Sequence, residues 1–179
     1  MAEVRRIAAF GTESTGKTAL ARRLAEHFGE LWSPEFVREF WDLRDGKITV
    51  DDLGTIALGQ IANEDLALSR AQRVVFFDTN LLTNVMWNDL LFPGECPPWV
   101  REEAERRARE ISLYLLCDTD LPFEPDPQRC FPDVADREKC RRLCREMLES
   151  RGLAFAEVCG AGEARVALAI AKVTEVLKP

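Results

Sequence analysis

Residues 11–18 read Gly-Thr-Glu-Ser-Thr-Gly-Lys-Thr, a complete match to the phosphate-loop pattern G-x-x-x-x-G-K-[ST]. An apolar run at residues 7–10 precedes this loop, and a helical pattern at residues 19–28 follows it. In such a loop, glycines let successive backbone N–H groups converge on phosphate oxygens, and the next helix directs the positive end of its dipole at the same anion. The stretch therefore predicts a strand, a phosphate-binding loop and a helix, in that order.

The loop pattern also assigns roles to particular side chains. We expect Lys17 to reach the terminal phosphates and the Thr18 hydroxyl to bind Mg²⁺. The predicted nucleotide-binding positions are Gly11, Thr12, Glu13, Ser14, Thr15, Gly16, Lys17, Thr18 and Ala19. Asp78 follows a second apolar run at residues 74–77, and a carboxylate at the end of a buried strand beside the loop can hold Mg²⁺ directly or through water. Capping of the following helix is the alternative role for Asp78.

Length and charge restrict the class of protein. The chain has 179 residues, which is enough to bury a core without disulfides or a structural metal, so we expect a single domain over residues 1–179. The net charge of −7 disfavours a nucleic-acid partner. The longest apolar runs fall far short of the ~20 residues of a membrane span, and residues 1–10 lack a signal-peptide core. We therefore expect a cytoplasmic protein with no membrane partner, and a homo-oligomer is left open.

The cysteines and the single histidine do not indicate a metal cluster. The six cysteines contain no C-x-x-C pair, and His27 has no partner at zinc-site spacing. Cys140 and Cys144 lie four residues apart on a predicted helix, so we interpret them as small apolar residues on a buried face. His27 precedes Gly29, and we expect it to help close the first helix.

Apolar runs and helical patterns alternate along the whole chain. They predict strands at residues 4–10, 30–32, 74–77, 111–117 and 155–158, and helices at residues 17–28, 34–41, 51–71, 81–90, 98–110 and 162–177, with a further helix through Cys140 and Cys144. An uninterrupted apolar run suits a strand that is buried on both faces of a parallel sheet. The alternation predicts a three-layer α/β domain with ligands at the carboxyl ends of the strands.

Glu35 and Arg38 are candidates for contacting a second substrate. They lie three residues apart on one predicted helix face, directly after the second predicted strand. An acceptor hydroxyl and a transferred phosphate would meet them there. A surface ion pair between the two side chains is the alternative interpretation.

Residues 118–137 are rich in proline and lack periodicity, which is typical of a lid over a ligand site. We place this lid at about residues 119–135. Arg129 and Arg137 would reach the phosphates and stabilise transition-state charge, and Phe123 would stack on a flat ring. A mobile surface loop is the alternative.

Several motifs together resemble the ribosylnicotinamide kinase domain of bacterial NAD-biosynthesis regulators that also contain a nicotinamide-nucleotide adenylyltransferase. The resemblance covers most of the chain. Its motifs are the phosphate loop, E-F-V-R at residues 35–38, I-A-L-G-Q at 56–60, V-V-F-F-D-T-N at 74–80, Y-L-L-C-D-T-D-L-P-F-E-P-D-P-Q-R at 114–129, D-R-E-K at 136–139 and E-M-L-E at 146–149.

The resemblance implies a P-loop nucleoside-kinase-like fold with a five-stranded parallel sheet, and ATP and Mg²⁺ as cofactors. It implies transfer of the γ-phosphate to the ribose 5′-hydroxyl of nicotinamide riboside, which gives nicotinamide mononucleotide. The adenylyltransferase and DNA-binding regions of the longer relatives have no counterpart in this sequence, so we expect a free-standing kinase without a role in transcription.

The resemblance also implies a role for each candidate site residue. It implies catalytic roles for Lys17, Asp78, Glu35, Arg38 and Arg129, Mg²⁺ ligation by Thr18 and Asp78, and substrate contacts by Glu35, Arg38, Phe123 and Asp126. Asp78 would serve either Mg²⁺ or the attacking hydroxyl, so the proton acceptor is either Asp78 or Glu35. In two places the chain departs from the family. Phe123 stands where members carry a tryptophan in the lid, and Pro127 stands where a glycine follows the lid aspartate.

Two other functions are compatible with the phosphate loop. One is a nucleoside or metabolite kinase with a different acceptor, because the loop recognises phosphate and not the acceptor. The other is a non-kinase ATPase switch, in which hydrolysis changes a contact with a partner protein. An internal lid with arginines favours a kinase, since a kinase must exclude water from the transferred phosphate.

Overall fold

Five parallel strands form one sheet in a computed structural model that describes residues 3–178. The strands are β1 (Arg5–Phe10), β2 (Leu31–Ser33), β3 (Val74–Asp78), β4 (Leu113–Cys117) and β5 (Phe155–Val158). Their order across the sheet is β2-β3-β1-β4-β5, and every neighbouring pair is parallel. The strand that leads into the phosphate loop therefore lies at the centre of the sheet.

Within residues 3–178, seven α-helices connect and cover these strands. They are α1 (Lys17–Phe28), α2 (Phe36–Leu43), α3 (Leu53–Arg70), α4 (Leu81–Leu91), α5 (Pro98–Ala108), α6 (Val134–Glu149) and α7 (Gly162–Val176). On one face of the sheet, α1 and α7 pack against Val74, Phe76 and Leu115. On the other face, α4 and α6 pack against Val75, Phe77 and Leu116. The predicted three-layer α/β architecture with a five-stranded parallel sheet is confirmed.

The central strands show why continuous apolar runs were informative. Every residue of Val74–Asp78 and of Leu113–Cys117 is buried. Successive side chains of a strand point to opposite faces, and here each face is covered by helices, so the apolar side chains of both strands are shielded from water. Cys140 and Cys144 are buried on α6, which confirms their interpretation as core residues.

The predicted element boundaries need small corrections. The second helix begins at Phe36, two residues later than predicted, because Glu35 still has an extended backbone at the N-cap position. The third helix is preceded by a 3₁₀ turn, in which Thr49 and Asp52 form a reciprocal capping box. Gly29 adopts the left-handed conformation that ends α1, with His27 in the last turn as expected.

The predicted lid is an irregular segment in the structure, but it is shorter than expected. Residues 118–133 contain neither helix nor strand, and α6 begins at Val134, so residues 134 and 135 belong to that helix. Arg137 is also part of α6 and is not a lid residue. No helix within residues 3–178 is both long enough and apolar enough to cross a bilayer.

Candidate active site

The candidate site lies where β1, β2 and β3 reach their carboxyl ends. The phosphate loop follows β1, Asp78 ends β3, and Glu35 comes two residues after β2. In the parallel registers, Ala9 of β1 pairs with Asp78, and Ser33 of β2 pairs with Phe77. These pairings bring side chains that are distant in sequence to one edge of the sheet, where ligands of open parallel sheets bind.

The phosphate loop has a defined internal geometry. Gly16 is the N-cap of α1 with φ of 75°, in the left-handed region that favours glycine. A Cβ atom at this position would lie 2.9 Å from a methyl carbon of Leu121, so glycine also permits the lid to approach. Lys17 Nζ donates to the Thr12 carbonyl at 2.6 Å, and Thr15 Oγ1 donates to the same oxygen at 2.8 Å. The loop is therefore closed on itself around one carbonyl group.

Asp78 and Thr18 offer oxygen ligands suited to Mg²⁺. Asp78 is only 1% exposed, and its Oδ1 atom has no hydrogen-bond partner. Burial raises the pKa of the Asp78 carboxyl, and the nearby Thr18 hydroxyl, Lys17 and Arg38 offset part of this rise. A buried carboxylate oxygen without a partner next to a threonine hydroxyl fits a hard cation that takes its other ligands from phosphate and water.

No group of three or more His, Cys, Asp or Glu side chains within residues 3–178 is arranged to hold a metal ion by itself. A protein-only metal cage is therefore not found in the described part of the chain. This is compatible with Mg²⁺ bound together with a nucleotide, because that ion usually keeps several waters and only one or two protein ligands.

Glu35 and Arg38 form an ion pair that continues into the lid. Arg38 Nε lies 3.4 Å from Glu35 Oε2, and Arg38 Nη1 lies 3.3 Å from Asp126 Oδ2. Burial raises the pKa of Glu35, and the negative charge of Asp78 raises it further, while Lys17 and Arg38 act in the opposite direction. The ion pair of the alternative interpretation is therefore present and lies at the cavity, and the substrate contact of Glu35 and Arg38 stays a prediction.

The lid lies directly over the phosphate loop, with Ser14 at the centre of the contact. The Ser14 hydroxyl accepts from the Glu124 backbone N–H at 2.8 Å and from Arg129 Nη1 at 3.2 Å. The Phe131 backbone N–H donates to the Glu13 carboxylate. Arg129 Nε is also 4.0 Å from Asp126, so the lid connects the loop with the Glu35–Arg38 pair.

Two buried arginines from the C-terminal helices also hold the loop. Arg137 Nη2 donates to the Ser14 carbonyl at 3.2 Å and to the Leu121 carbonyl at 3.1 Å. Arg165 Nη2 donates to the Thr15 carbonyl at 2.8 Å. Arg137 is 5% exposed and Arg165 is 4% exposed, so both guanidinium groups are fixed in place. The expectation that Arg137 moves with a lid is thus corrected, since the side chain braces the loop from a helix.

A cavity of about 730 Å³ opens between the loop, the lid, α2, α3 and α4. One end is lined by loop residues 13–19, and the other end is predominantly apolar. The apolar lining consists of Val37, Trp41, Ile48, Leu53, Ile56, Trp87, Leu91 and Phe92. Phe123 is not among the lining residues, because its ring lies 5.9 Å from the guanidinium carbons of both Arg129 and Arg137. The aromatic side chains that line the cavity are Trp41, Trp87 and Phe92.

Sequence reasoning missed the polar side chains at the apolar end. Asn84 of α4 lines the cavity and is 8% exposed, and its Nδ2 donor has no hydrogen-bond partner. Asn88, one helical turn further, also lines the cavity and donates to Cys96 Sγ at 3.4 Å. The available signal was the spacing of Asn84, Trp87 and Asn88 on one face of an otherwise apolar helix.

Comparison with known proteins gives a family match and several relatives. Residues 6–165 match the AAA domain family. The trifunctional NAD biosynthesis/regulator protein NadR of Escherichia coli (strain K12) is 30% identical over 159 residues, which are 87% of this chain and 38% of that protein. The protein with the same description from Salmonella typhimurium is 28% identical over the same length. The chain therefore spans about two fifths of the length of these curated relatives.

Solved structures with similar folds include both long and short proteins. NadR protein in complex with NR superposes with a TM-score of 0.78 at 20% identity, over 99% of this chain and 52% of that chain. Deoxyadenosine kinase from M. mycoides superposes with a TM-score of 0.63 at 14% identity, over 95% of this chain and 99% of that chain. These likenesses establish that the fold is the one used by P-loop nucleoside kinases.

Proposed function

The chain belongs to the AAA domain family, and we propose that it is an ATP-dependent kinase. It would phosphorylate the ribose 5′-hydroxyl of nicotinamide riboside to give nicotinamide mononucleotide. One observation carries this proposal. A phosphate loop opens into the same cavity as the Glu35–Arg38 pair, and the far end of that cavity has an aromatic and amide lining.

The relatives support the choice of acceptor. The similar NadR proteins are described as proteins of NAD biosynthesis, and one solved NadR structure holds NR while another holds NAD and AMP-PNP. Nicotinamide is a flat ring with a carboxamide, which suits a cavity end that combines Trp41 and Trp87 with the unpaired amide donor of Asn84.

On the donor side, the loop residues bind and orient the nucleotide. Backbone N–H groups of the loop and the N-terminus of α1 hold phosphate oxygens, and Lys17 exchanges the Thr12 carbonyl for the terminal phosphates. Thr18 and Asp78 would hold Mg²⁺, which would supply positive charge to offset the charge of the phosphates. Arg129 already lies against Ser14, so it is placed to stabilise charge on the transferred group.

On the acceptor side, Glu35 removes the proton from the attacking hydroxyl. The 5′-oxygen forms a bond to the γ-phosphorus, the bond from that phosphorus to the β–γ bridging oxygen breaks, and ADP leaves with that electron pair. The raised pKa of Glu35 makes it a stronger base than an exposed glutamate. Arg38 orients the Glu35 carboxylate and links it to Asp126 of the lid.

The experiment that tests the proposal measures ADP release with ATP and Mg²⁺, with and without a panel of nucleosides headed by nicotinamide riboside. Mass spectrometry identifies the phosphorylated product. We expect nicotinamide mononucleotide to form with the wild-type protein and to be absent with the Lys17→Ala variant.

The other outcomes separate the competing functions. A phosphorylated product from a different member of the panel would retain the kinase and replace the acceptor. Tight ATP binding without any acceptor-dependent turnover would overturn the kinase proposal and favour a nucleotide-dependent switch.

A further inference from the structure

The Gly59-Gln60 pair of α3 lies beneath the N-terminus of α2, where Glu35 and Arg38 are located. These two residues end the I-A-L-G-Q motif, for which the proposed mechanism gives no role. A Cβ atom at position 59 would lie 2.2–2.4 Å from three carbons of the Phe36 ring. Real Cβ atoms do not approach that closely, so the ring reaches its present position only because residue 59 is glycine.

Gln60 binds the backbone of the same residue. The Phe36 backbone N–H donates to Gln60 Oε1 at 3.0 Å. Phe36 is the first residue of α2, and the Glu35 side chain makes no capping hydrogen bond. The first N–H groups of a helix have no partner within the helix, so Gln60 supplies from a neighbouring helix the acceptor that a cap would normally supply.

The orientation of Gln60 is fixed from its other end. Gln60 is completely buried, and its Nε2 donates to Glu64 Oε1 at 3.1 Å. Glu64 is 3% exposed and lies 3.6 Å from Arg107 Nη1. A glutamine amide has one acceptor end and one donor end, so a carboxylate at the donor end forces the acceptor end toward Phe36. The chain of contacts from Phe36 to Arg107 therefore leaves Gln60 a single satisfied arrangement.

We infer that Gly59 and Gln60 are positioning residues for phosphoryl transfer, which set the place of Glu35 and Arg38 by fixing the first residue of α2 from below. The Phe36 nitrogen belongs to the rigid peptide unit that also contains the Glu35 carbonyl group, so a displacement of one moves the other. Neither Gly59 nor Gln60 lines the cavity, so any effect of these residues on turnover passes through α2. The inference rests on the proposed function.

A matched pair of glycine substitutions tests the steric half of the inference. Gly59→Ala forces the Phe36 ring to move, whereas Gly54→Ala on the same helix places its new methyl group 3.6 Å from Trp99, in ordinary contact. We expect Gly59→Ala to lower kcat by about 10-fold to 10²-fold, because displacements near 1 Å at a reacting group have effects of that size. The KM for ATP should stay within about two-fold of wild type. Equal kcat values for the two variants would overturn the inference.

A compensating change checks that the effect passes through Phe36. In the Gly59→Ala background, Phe36→Leu removes the ring atoms that the new methyl group meets. We expect the double variant to regain part of the lost kcat, and a further loss would contradict the steric argument.

A double-mutant cycle tests the hydrogen-bonded half. Gln60→Met keeps the volume of the side chain but removes the acceptor for the Phe36 N–H. If Gln60 acts through Glu35, Gln60→Met will lower kcat by about 10-fold in the wild type and change it little in a Glu35→Gln background. A residue with a merely structural role would multiply the two losses, and that result would overturn the inference.

Hydrogen exchange gives a readout that needs no acceptor. We expect peptides covering residues 31–40 to exchange faster in Gln60→Met than in wild type or in Gly54→Ala, since the Phe36 N–H at the start of α2 loses its partner. If the wild type has no acceptor-dependent turnover, the proposed function fails and this measurement alone decides the anchoring. Unchanged exchange in Gln60→Met would overturn the anchoring whatever the activity.

Discussion

The two ends of the cavity are built in different ways. The phosphate side consists of residues 11–18, which are consecutive in the chain and share one carbonyl as an internal hydrogen-bond acceptor. The proposed acceptor side consists of Glu35 at the N-cap of α2, Arg38 within α2, Asn84 and Trp87 of α4, and the Gln60 support from α3. The first takes its ligand-binding groups from one continuous segment, which Arg137 and Arg165 brace. The second exists only once three helices have packed.

This difference shows what each side requires of the sequence. A local loop needs its glycines and its lysine, and almost any strand and helix can flank it. An assembled pocket needs support residues that touch no ligand, such as Gly59, whose only requirement is to leave room for another side chain. We therefore expect substitutions on the phosphate side to abolish turnover directly and substitutions on the acceptor side to act through position and affinity.

The largest effect should come from the phosphate side. Lys17→Ala removes the one cation in the loop, and we expect kcat to fall by about 10³-fold because the charge on the transferred group loses an electrostatic contact. Steady-state ADP release measures the loss. Lys172→Ala, a lysine on α7 outside the cavity, is the matched control. Near-normal turnover in Lys17→Ala would contradict the expectation that substitutions on the phosphate side have the larger effect.

Glu35→Gln should have the next largest effect. The substitution keeps the size of the side chain and removes its ability to accept a proton, so we expect kcat to fall by about 10²-fold with little change in the KM for ATP. Glu39→Gln, an exposed position on the same helix, should leave kcat unchanged. An unaltered kcat in Glu35→Gln would assign the base to another group.

The buried Glu64, which accepts a hydrogen bond from Gln60, should make the stability of the fold depend on pH. Burial raises the pKa of Glu64 to about 7, whereas the unfolded chain has the ordinary value of 4.5. The folded state therefore binds the proton of the Glu64 carboxyl more tightly than the unfolded chain does. The stability that this protonation contributes at low pH is lost as pH rises through 7. We expect this group to lower the free energy of unfolding by about 2 kcal/mol between pH 5 and 7.5.

Chemical denaturation of wild type and Glu64→Gln at the two pH values measures that dependence. The variant should lack the drop, because a neutral amide occupies the site at both pH values. Glu26→Gln on the exposed side of α1 should keep the wild-type profile. Identical profiles for Glu64→Gln and wild type would show that Glu64 is ionised throughout this range.

The smallest effect should be on acceptor affinity. Asn84→Leu removes a buried donor that lines the cavity without a partner, and we expect the KM for the acceptor to rise by about 10-fold while the KM for ATP is unchanged. Asn63→Leu on α3, outside the cavity, is the control. Equal shifts in both KM values would mean that Asn84 supports the whole site and does not read the acceptor.

Most of the fold could be predicted from the sequence. The run at residues 74–77 has no polar side chain, and the run at residues 111–117 has only Ser112 and Tyr114. A strand covered on both faces suits such runs, so the layers followed from composition. Asp78 could be placed beside the loop because the carboxyl ends of parallel strands meet at one edge of a sheet. The strand order across the sheet was not predicted, because the pattern of each strand does not identify its neighbours.

The contacts between distant elements were predicted less completely, for a physical reason. Arg165 is one arginine in a helix with a polar face, and in the sequence nothing distinguishes it from an exposed one. The stacking of Phe123 on a flat ring of the ligand stays a prediction, and in the structure its ring centre lies 5.9 Å from the guanidinium carbons of Arg129 and Arg137. Asn84 and Gln60 became meaningful only when distances to other helices were known. Their roles depend on contacts between helices, and such contacts cannot be predicted from the periodicity of a single helix.

The hydrogen bond from Arg165 to the Thr15 carbonyl joins residues that are 150 positions apart. The phosphate motif comes before all seven described helices but the first, whereas one of the groups that hold its backbone belongs to α7. A fragment that ends before α7 contains every residue of the motif and lacks that support. By thermodynamic linkage, a nucleotide that binds better when α7 is docked also strengthens the docking of α7 by the same free energy. Nucleotide binding at the phosphate loop and the packing of α7 would thus stabilise each other.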